Sequence, residues 1–411
     1  MARAMKDSGI AWIGQIPEEW GVVALKYLCT MQAGKNLVSE QITEEGLYPV
    51  YGGNGQRGFF CEYNCEGEKL VVGRQGALCG NVHKVAGRIW ATEHAIITNA
   101  TSLISQNYLY YLLIGMNLKQ YVSSTAAQPG LAVSTIQNVR TCLPTLEEQE
   151  RIARFLDAKC SRIDVVIKQT RASIEEYKKL KQAVITQAVT KGIRPNRPMK
   201  DSGIDWIGEI RSDYQVYRMK HLIAEPLMYG ANESGIPYEE NLPRYIRITD
   251  ISLDGKIKDT GKLSLTEEAA EDYILVDDDV LFARSGATVG KAFIYKEKYG
   301  RAAFAGYLIR ARVNDLILPE LLFYYTQSSI YEEWEKQIFI QSTIQNIGAD
   351  RYNQLPVVVP PKEEQEEILS YIRNKSSEID KLVQDKERLI KNLESYKESL
   401  IFECVTGKKG V

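Results

Sequence analysis

An internal repeat constrains the fold of this chain more than any other feature of its sequence. Residues 5–16 read MKDSGIAWIGQI and residues 199–210 read MKDSGIDWIGEI, so ten of the twelve positions are identical. Residues 143–152 return as residues 359–368, and this second match continues in register through the block that follows. Self-similarity at this level indicates duplicated structural units. The sequence therefore predicts two tandem copies of one plan.

Two dissimilar stretches, residues 22–142 and 216–358, lie between the repeated blocks. Each contains short β-rich runs separated by turns that contain glycine, which is typical of sheet structure. The clearest runs are residues 69–72, 95–98, 245–248 and 280–283. Residues 105–114 and 318–327 carry aromatic residues and leucines at helical spacing, and we expect them to pack on those sheets. Each stretch is therefore expected to be an α/β or α+β globule, and we favour α+β.

Residues 147–190 and 363–405 each predict one long helix, because they are rich in Glu, Lys, Gln, Leu and Ile and contain no Pro or Gly. Apolar residues of the second block recur at the a and d positions of a heptad, and only Lys386 interrupts them. These positions are Ile379, Leu382, Leu389, Leu393, Tyr396 and Leu400. Their counterparts in the first block are Ile163, Val166, Ser173, Tyr177, Leu180 and Val184, with Thr170 at the break.

The expected fold is an α+β architecture with two globular domains in a tandem pseudo-twofold repeat. The domains are expected at residues 1–146 and 199–362, the first long helix with its linker at 147–198, and the second long helix at 363–411. A helix of about 40 residues spans roughly 60 Å. Packing the two helices as an antiparallel coiled coil buries both apolar stripes, and we expect that pair to separate the two domains.

Charge and composition exclude several classes of protein. The formal net charge is −2, which argues against a protein that coats nucleic acid without specificity. Residues 22–140 hold 9 Lys and Arg against 7 Asp and Glu, whereas residues 215–358 hold 16 against 21. Any nucleic-acid contact must therefore use local basic patches, or partners that add positive charge. The seven scattered cysteines are expected to be reduced thiols, and the absence of a long apolar run or a secretion signal predicts a cytoplasmic protein without membrane contact.

The order of these elements resembles the specificity subunits of type I restriction–modification systems across essentially the whole chain. The similarity rests on KDSGIxWIGxI at the start of each half, on xxEEQExI before each long helix, and on the ending AVTKG at residues 188–192. The strings STIQNV at residues 134–139 and STIQNI at residues 342–347 fit the same family. The second copy departs from the pattern at residues 211–214, which read RSDY where the first copy has PEEW.

The resemblance implies two target-recognition domains, each of which reads one half of an asymmetric bipartite site in double-stranded DNA. It also implies two methyltransferase subunits and restriction subunits that translocate and cleave, so that this chain carries no catalytic residues and no cofactor. Helix length would then set the spacing of the half-sites. Exposed docking surfaces would allow self-association of the isolated subunit. The alternative is a coiled-coil scaffold, or an orphan or decoy specificity protein without an active complex.

Candidate DNA contacts combine glycine-rich turns with side chains that read base edges or phosphates. The turn at residues 51–58 carries Asn54, Gln56 and Arg57, although a solvent-exposed hairpin turn would have the same composition. The loops at residues 73–77 and 283–287 align at an offset of 210, which places Arg74 and Gln75 opposite Arg284 and Ser285. An arginine shared by divergent copies favours either a DNA backbone contact or a loop held by bonds to carbonyls. Weaker candidates are Lys84, His94, Arg244, Arg247 and Lys291.

Signals for other chemistry are few. Cys61, Cys65, Cys79 and His83 have a spacing that zinc would tolerate, but buried or partly exposed thiols are the favoured interpretation and no metal is expected. Residues 286–292 resemble a phosphate loop but have three residues between the glycines, where four are required, and an alanine in place of the Ser or Thr after the lysine. The chain has three histidines, and its duplicated plan leaves no room for a methyltransferase domain of its own.

Overall fold

The fold comes from a computed structural model. The structure describes residues 3–76, 78–123, 130–252, 255–340 and 346–411. Contacts divide the chain into two units, one formed by Met1–Arg171 with Lys386–Val411 and the other by Ala172–Asp385. Each unit contains one mixed α and β domain and a part of both long helices. The expected α+β class and tandem arrangement are confirmed.

Short strands and four helices form the described part of the first half. The strands are β1 Met5–Asp7, β2 Gln15–Pro17, β3 Gly21–Ala24, β4 Cys29–Ala33, β5 Tyr48–Gly52, β6 Gly55–Phe60, β7 Cys65–Glu66, β8 Lys69–Gly73, β9 Val82–Val85, β10 Arg88–Ala91, β11 Ala95–Ala100 and β12 Arg140–Leu143. The helices are α1 Leu25–Leu28, α2 Gln106–Gly115, α3 Val133–Asn138 and α4 Leu146–Lys191.

The described part of the second half repeats this plan with different lengths. The strands are β13 Met199–Asp201, β14 Glu209–Arg211, β15 Gln215–Arg218, β16 Met228–Tyr229, β17 Ile236–Pro237, β18 Arg244–Ile246, β19 Leu263–Ser264, β20 Val280–Ala283, β21 Ala292–Ile294, β22 Ala302–Phe304, β23 Leu308–Ala311 and β24 Pro356–Val359. The helices are α5 Glu267–Ala270, α6 Pro319–Tyr325, α7 Ser329–Ile340, α8 Ala349–Asn353 and α9 Lys362–Val405.

One four-stranded sheet has the same strand order in both halves, and the other matches over three of its four strands. The first half has the sheets β4-β11-β8-β9 and β6-β5-β10-β7, and the second has β16-β23-β20-β21 and β17-β19-β18-β22. Each half contains a parallel pair, β5 with β10 and β18 with β22, while the other ladders in these sheets are antiparallel. Helices α2 and α6, both expected from the sequence, bury leucines and tyrosines in the core of their own domain. The duplication is therefore structural as well as sequential.

The most similar block of the repeat is a hairpin stabilised by its own side chains. In the first copy, Oδ1 of Asp7 accepts a hydrogen bond from the Gly9 amide at 3.0 Å, and Oγ of Ser8 accepts one from the Ile10 amide at 3.1 Å. The second copy has the same two bonds at 2.9 and 3.2 Å. Gly9 has a φ of +68°, a conformation that glycine adopts without steric cost. Local turn chemistry therefore accounts for much of the sequence identity.

The two copies differ at residues 17–20 and 211–214, and a different arginine in each copy binds the equivalent carboxylate. In the second unit, Arg211 binds Glu364 in the first turn of α9 and also Asp213. The first unit has a proline at the equivalent position, and Arg3 reaches the equivalent carboxylate of Glu148 at 2.6 Å instead. Both units therefore neutralise the carboxylate at the start of their long helix, although the arginines come from different places in the chain.

The long helices pair antiparallel within each unit. In the first unit Lys397 of α9 lies 2.7 Å from Asp164 of α4. In the second unit Lys181 of α4 lies 2.8 Å from Asp380 of α9. Each of these residues has its counterpart at the offset of 216 that relates the helical blocks. The antiparallel pairing within each unit confirms the sequence prediction.

One of the two predicted sets of heptad positions, Ile379 and every seventh residue after it, lies in the seam. The other set, which begins at Leu382, does not. Ile379 and Leu400 are buried, but Leu382, Leu389 and Tyr396 are 44%, 44% and 53% exposed. The less exposed residues follow one position later, at Val383, Ile390 and Lys397. In the first block, Val166 and Leu180 are exposed in the same way. Apolar residues occupy both i+3 and i+4 from Ile379, so the period alone could not choose between two seams.

The two STIQN strings are not structurally equivalent, although both precede a long helix. The first forms most of α3, and the carbonyl of Val139 after it accepts a hydrogen bond from Leu25 at 3.0 Å. The equivalent bond in the second half runs from Met219 to the carbonyl of Leu355 at 2.9 Å. Val139 therefore corresponds to Leu355 rather than to Ile347, and residues 342–345 of the second string lie outside the described residues.

Candidate nucleic-acid interface

Three segments of the first half meet at one edge of its two larger sheets. They are residues 52–57 around the turn of the β5–β6 hairpin, residues 73–76 at the end of β8, and residues 92–95 from the end of β10 to the start of β11. We call them the first loop cluster. A methyl group on Gly53 would lie 2.6 Å from the carbonyl oxygen of Gln75. The hairpin turn therefore approaches the neighbouring loop more closely than a residue with a side chain would permit.

The hairpin turn presents polar side chains to solvent. Asn54, Gln56 and Arg57 are all exposed. Among the residues that the structure describes, none forms a side-chain hydrogen bond or ion pair with them. Amide and guanidinium groups in this state are available to base edges or phosphates without the loss of an internal bond.

The other two segments of the first loop cluster are held by hydrogen bonds to each other. The amide of Arg74 donates to the carbonyl of His94 at 2.8 Å, and the amide of Leu131 donates to the carbonyl of Arg74 at 2.9 Å. Oε1 of Gln75 lies 2.6 Å from Nδ1 of His94, whose Nε2 lies 3.1 Å from Glu93. The predicted contacts at positions 54, 56, 57, 74, 75 and 94 are thus brought together.

The second half builds an equivalent cluster from residues 247–250 after β18, residues 283–286 after β20, and residues 305–308 between β22 and β23. We call it the second loop cluster. The amide of Arg284 donates to the carbonyl of Tyr307 at 3.0 Å, and the amide of Ile347 donates to the carbonyl of Arg284 at 2.9 Å. These bonds match those of Arg74 in the first half. The alignment of the two arginines in the sequence is therefore structurally correct.

One tyrosine stacks on the side chain of Arg284, and a second tyrosine accepts its backbone hydrogen bond. The guanidinium carbon of Arg284 lies 4.8 Å from the ring centroid of Tyr229, and the hydroxyl of Tyr229 accepts a hydrogen bond from the Ala349 amide at 2.9 Å. Tyr307 is 63% exposed. Sequence reasoning missed both tyrosines. The alignment of β10–β11 with β22–β23, which places Tyr307 opposite His94, could have revealed the second.

Two predicted arginines of the second half are occupied by internal bonds. Arg244 is 5% exposed, and its Nη1 lies 3.3 Å from Asp259. Arg247 belongs to the second loop cluster, but its guanidinium donates to Asp250 at 2.8 Å and to the carbonyl of Gly261 at 2.8 Å. The hydrogen bond with Asp250 raises the pKa of Arg247. Both arginines therefore hold loops in place.

The two predicted lysines lie away from the exposed loop tips. Nζ of Lys84 lies 3.1 Å from Asp157 of α4, and β9 pairs this lysine with Leu70, near the start of β8 rather than its end. Lys291 is exposed at the base of the second loop cluster, where its carbonyl accepts a hydrogen bond from Ala283 at 2.9 Å. Beside it, burial raises the pKa of Glu335 to about 7, although the charge of Lys291 opposes that shift.

The cysteines of the first half have separate surroundings. Cys61 is exposed, whereas Cys65 and Cys79 are buried in different hydrophobic clusters. Sγ of Cys79 donates a hydrogen bond to the carbonyl of Arg74 at 3.1 Å, and burial raises the pKa of this thiol. Within the described ranges of the chain, no three or more His, Cys, Asp or Glu residues are placed to hold a metal ion.

Comparison with known proteins agrees with this architecture. The family model of the type I restriction modification DNA specificity domain matches residues 17–176 and 244–392, once in each half. The EcoprrI specificity subunit of Escherichia coli is 43% identical over 131 residues, which cover 31% of this chain and 32% of that protein. The MjaVIII specificity subunit of Methanocaldococcus jannaschii is 23% identical over 426 residues, which cover 96% of this chain and 94% of that protein.

A solved structure shows the same fold. It comes from work on complex assembly and conformational transition of the type I R-M system, and it matches with a TM-score of 0.69 at 15% identity over 96% of this chain and 99% of that one. The fold and the two family matches define a tandem pair of DNA specificity domains. The chain belongs to the family of type I restriction–modification DNA specificity proteins. The function class expected from the sequence is confirmed at this level.

None of the helices in the described residues combines the length and the apolar character that a membrane span requires.

Proposed function

We propose that each loop cluster reads one half of an asymmetric bipartite DNA site. The observation that carries the proposal is the repetition of one backbone frame with different side chains. Arg74 and Arg284 have the same hydrogen-bonded position in the two domains, whereas the residues around them differ. A common frame suits contacts with the DNA backbone, which is the same at every sequence, and differing side chains suit different half-sites.

The contacts divide by chemistry. Arg74 and Arg284 are proposed to bind phosphates, because positions shared by both domains cannot distinguish two sequences. Asn54, Gln56 and Arg57 are proposed to reach base edges in the major groove, where amide and guanidinium groups discriminate best. Gln75, His94 and Ser285 join this set, whereas Lys84, Arg244, Arg247 and Lys291 are left to structural roles or weak long-range attraction.

Within its complex, the chain is proposed to recognise DNA sequence and to catalyse no reaction. The recognition domains expected at residues 1–146 and 199–362 would direct two methyltransferase subunits, and restriction subunits would translocate and cleave. The duplicated hairpins support two identical partners, because the same strand pairing and nearly the same sequence recur in each half. The working complex is proposed to act in the cytoplasm, where its DNA lies.

Co-expression with the neighbouring methyltransferase subunit tests the proposal. Methylated adenines are mapped across the host genome by single-molecule sequencing, and we expect one asymmetric bipartite motif. A stable complex that methylates no motif would contradict the recognition role and favour the scaffold alternative.

A triple variant, N54A/Q56A/R57A, locates the first reading surface. We expect discrimination to be lost in one half-site and kept in the other, because the exposed side chains make no internal bonds in the described structure. The control is Arg88→Ala, which removes a different surface arginine of the same domain, paired with Glu66 at 3.0 Å. An unchanged motif in the triple variant would exclude the hairpin turn from recognition.

A further inference from the structure

The two loop clusters share more of their backbone frame than the arginines alone. The amide of Gly34 donates to the carbonyl of Ala95 at 3.0 Å, as Gly230 does to Leu308 at 3.3 Å. The loops after β8 and β20 close with identical bonds of 2.8 Å, from Gly80 to Gly73 and from Gly290 to Ala283. Corresponding positions can therefore be assigned from hydrogen bonds, without reliance on a weak sequence similarity.

Two positions in this frame differ in chemistry and face outward. The residue after each arginine is Gln75 in the first cluster and Ser285 in the second. The residue whose carbonyl receives the arginine amide is His94 in the first cluster and Tyr307 in the second. All four are at least partly exposed. The frame thus holds a Gln–His pair in one domain and a Ser–Tyr pair in the other.

The Gln–His pair is oriented by its own contact. Oε1 of Gln75 can only accept, so the imidazole Nδ1 of His94 donates to it at 2.6 Å. No group in the described residues bonds to the NH2 group of Gln75, so this group can donate to DNA. A free amide donor in the major groove suits an acceptor such as purine N7, guanine O6 or thymine O4.

The Ser–Tyr pair offers different groups at the same positions. Tyr307 presents its ring with 63% of the residue exposed, and no described residue forms a side-chain hydrogen bond with it. An exposed ring gives apolar contact to a thymine methyl group, and the short hydroxyl of Ser285 can donate or accept. The two domains therefore present different recognition chemistry on one frame.

We propose that positions 75 and 94 in the first domain, and positions 285 and 307 in the second, are the specificity-determining pair of each domain. This inference rests on the proposed function of the loop clusters in DNA recognition. It assigns a specificity role to Tyr307, and it separates these residues from Arg74 and Arg284, which would bind any sequence.

Exchange of the pairs tests the proposal in the full complex with the methyltransferase subunit. The first variant is Q75S/H94Y and the second is S285Q/Y307H. We expect each to change or relax the preferred base at one or two positions of one half-site, with a loss of discrimination of roughly tenfold or more at each position. The half-site that changes should differ between the two variants.

Matched controls come from the same frame. Arg88 and Arg301 have equivalent positions in β10 and before β22, and each pairs with an exposed glutamate, Glu66 or Glu267. Their replacement by alanine should leave both half-sites unchanged. Normal methylation of an unaltered motif by both exchange variants would overturn the proposal. Absence of any bipartite motif with the unmodified chain would instead refute the proposed function itself.

The second variant distinguishes a change of specificity from a folding defect. Tyr307 is largely exposed, so S285Q/Y307H is expected to keep the melting temperature of the unmodified complex. Q75S/H94Y could lose all methylation because it misfolds. If S285Q/Y307H then kept an unaltered motif, the proposal would fail, because a correctly folded exchange variant would have shown no change in specificity. A shifted half-site in S285Q/Y307H alone would support it.

Discussion

Glu364 neutralises a buried arginine at the start of α9, and its replacement by glutamine should destabilise the second unit. Nη1 of Arg211 lies 2.6 Å from Oε1 of Glu364, and the two side chains are only 6% and 8% exposed. Asp213 contacts the same guanidinium but is half exposed. Glutamine keeps the shape of the side chain and removes its charge, so the variant isolates the electrostatic contribution.

The magnitude follows from burial. Loss of one partner of a buried ion pair costs about 3–5 kcal/mol. Because Asp213 still contacts Arg211, we expect the lower end, about 3 kcal/mol, for Glu364→Gln. For a unit of this size each kcal/mol lowers the Tm by about 2–4 °C, so the expected loss is roughly 6–12 °C. Glu148→Gln in the first unit should cost only about 1 kcal/mol, because its partner Arg3 is partly exposed and water can replace the bond.

Urea unfolding of the full chain measures both values. Tryptophan fluorescence reports on both units together, through Trp206 and Trp334 in the second unit and the remaining tryptophans in the first. Glu363→Gln is the control, because that neighbouring glutamate is exposed. Equal losses for Glu364→Gln and Glu148→Gln, or a loss below 1 kcal/mol for Glu364→Gln, would refute the reasoning from burial.

Four further predictions concern pH, pairing, turn geometry and spacing. Burial raises the pKa of Glu335 from 4.5 to about 7, so the folded state holds an extra proton between these pH values and its stability should fall as pH rises through them. Glu335→Gln should abolish this pH dependence and add about 2 kcal/mol to the free energy of unfolding at pH 8, measured by urea unfolding. A double-mutant cycle on Asp164 and Lys397 should give a coupling of about 0.5–1 kcal/mol, because both are partly exposed; a value near zero would show the ion pair to be irrelevant. Gly53→Ala should displace the turn from Gln75 and weaken discrimination in one half-site of the methylation map, and an unaffected map would contradict the close approach. We expect one extra turn in both long helices, about four residues or 6 Å, to widen the gap between the methylated half-sites by roughly two base pairs. An unchanged gap would contradict the idea that helix length sets the spacing of the half-sites.

The parts of the fold that the sequence predicted well are those with local or repeated signals. The bounds of α4 and α9 were expected within a residue or two, because nothing in either block breaks a helix. The shared loops around Arg74 and Arg284 were aligned correctly from a short glycine pattern. A repeat within one chain supplies this information because each copy acts as a comparison for the other.

The candidate site was only partly predictable. The polar turn at residues 51–58 was recognised from its composition, and the structure makes it an exposed hairpin beside the Arg74 loop. Arg244 was one of the weaker candidates, and the structure buries it against Asp259. Tyr307 gave no signal by itself. The sequence shows which groups are present, but availability depends on which of them already have partners.

The sequence by itself determined the duplicated plan, the two long helices and the glycines that allow the turns, because these follow from period, composition and backbone freedom within a few residues. Only the tertiary structure decided which side of the helices forms the seam, since Leu382 and Val383 satisfy the heptad equally well. It also decided that Arg3 in one unit does the work of Arg211 in the other. Such choices depend on contacts between segments far apart in the chain, where several local solutions have similar free energy and the packing of the whole unit selects one.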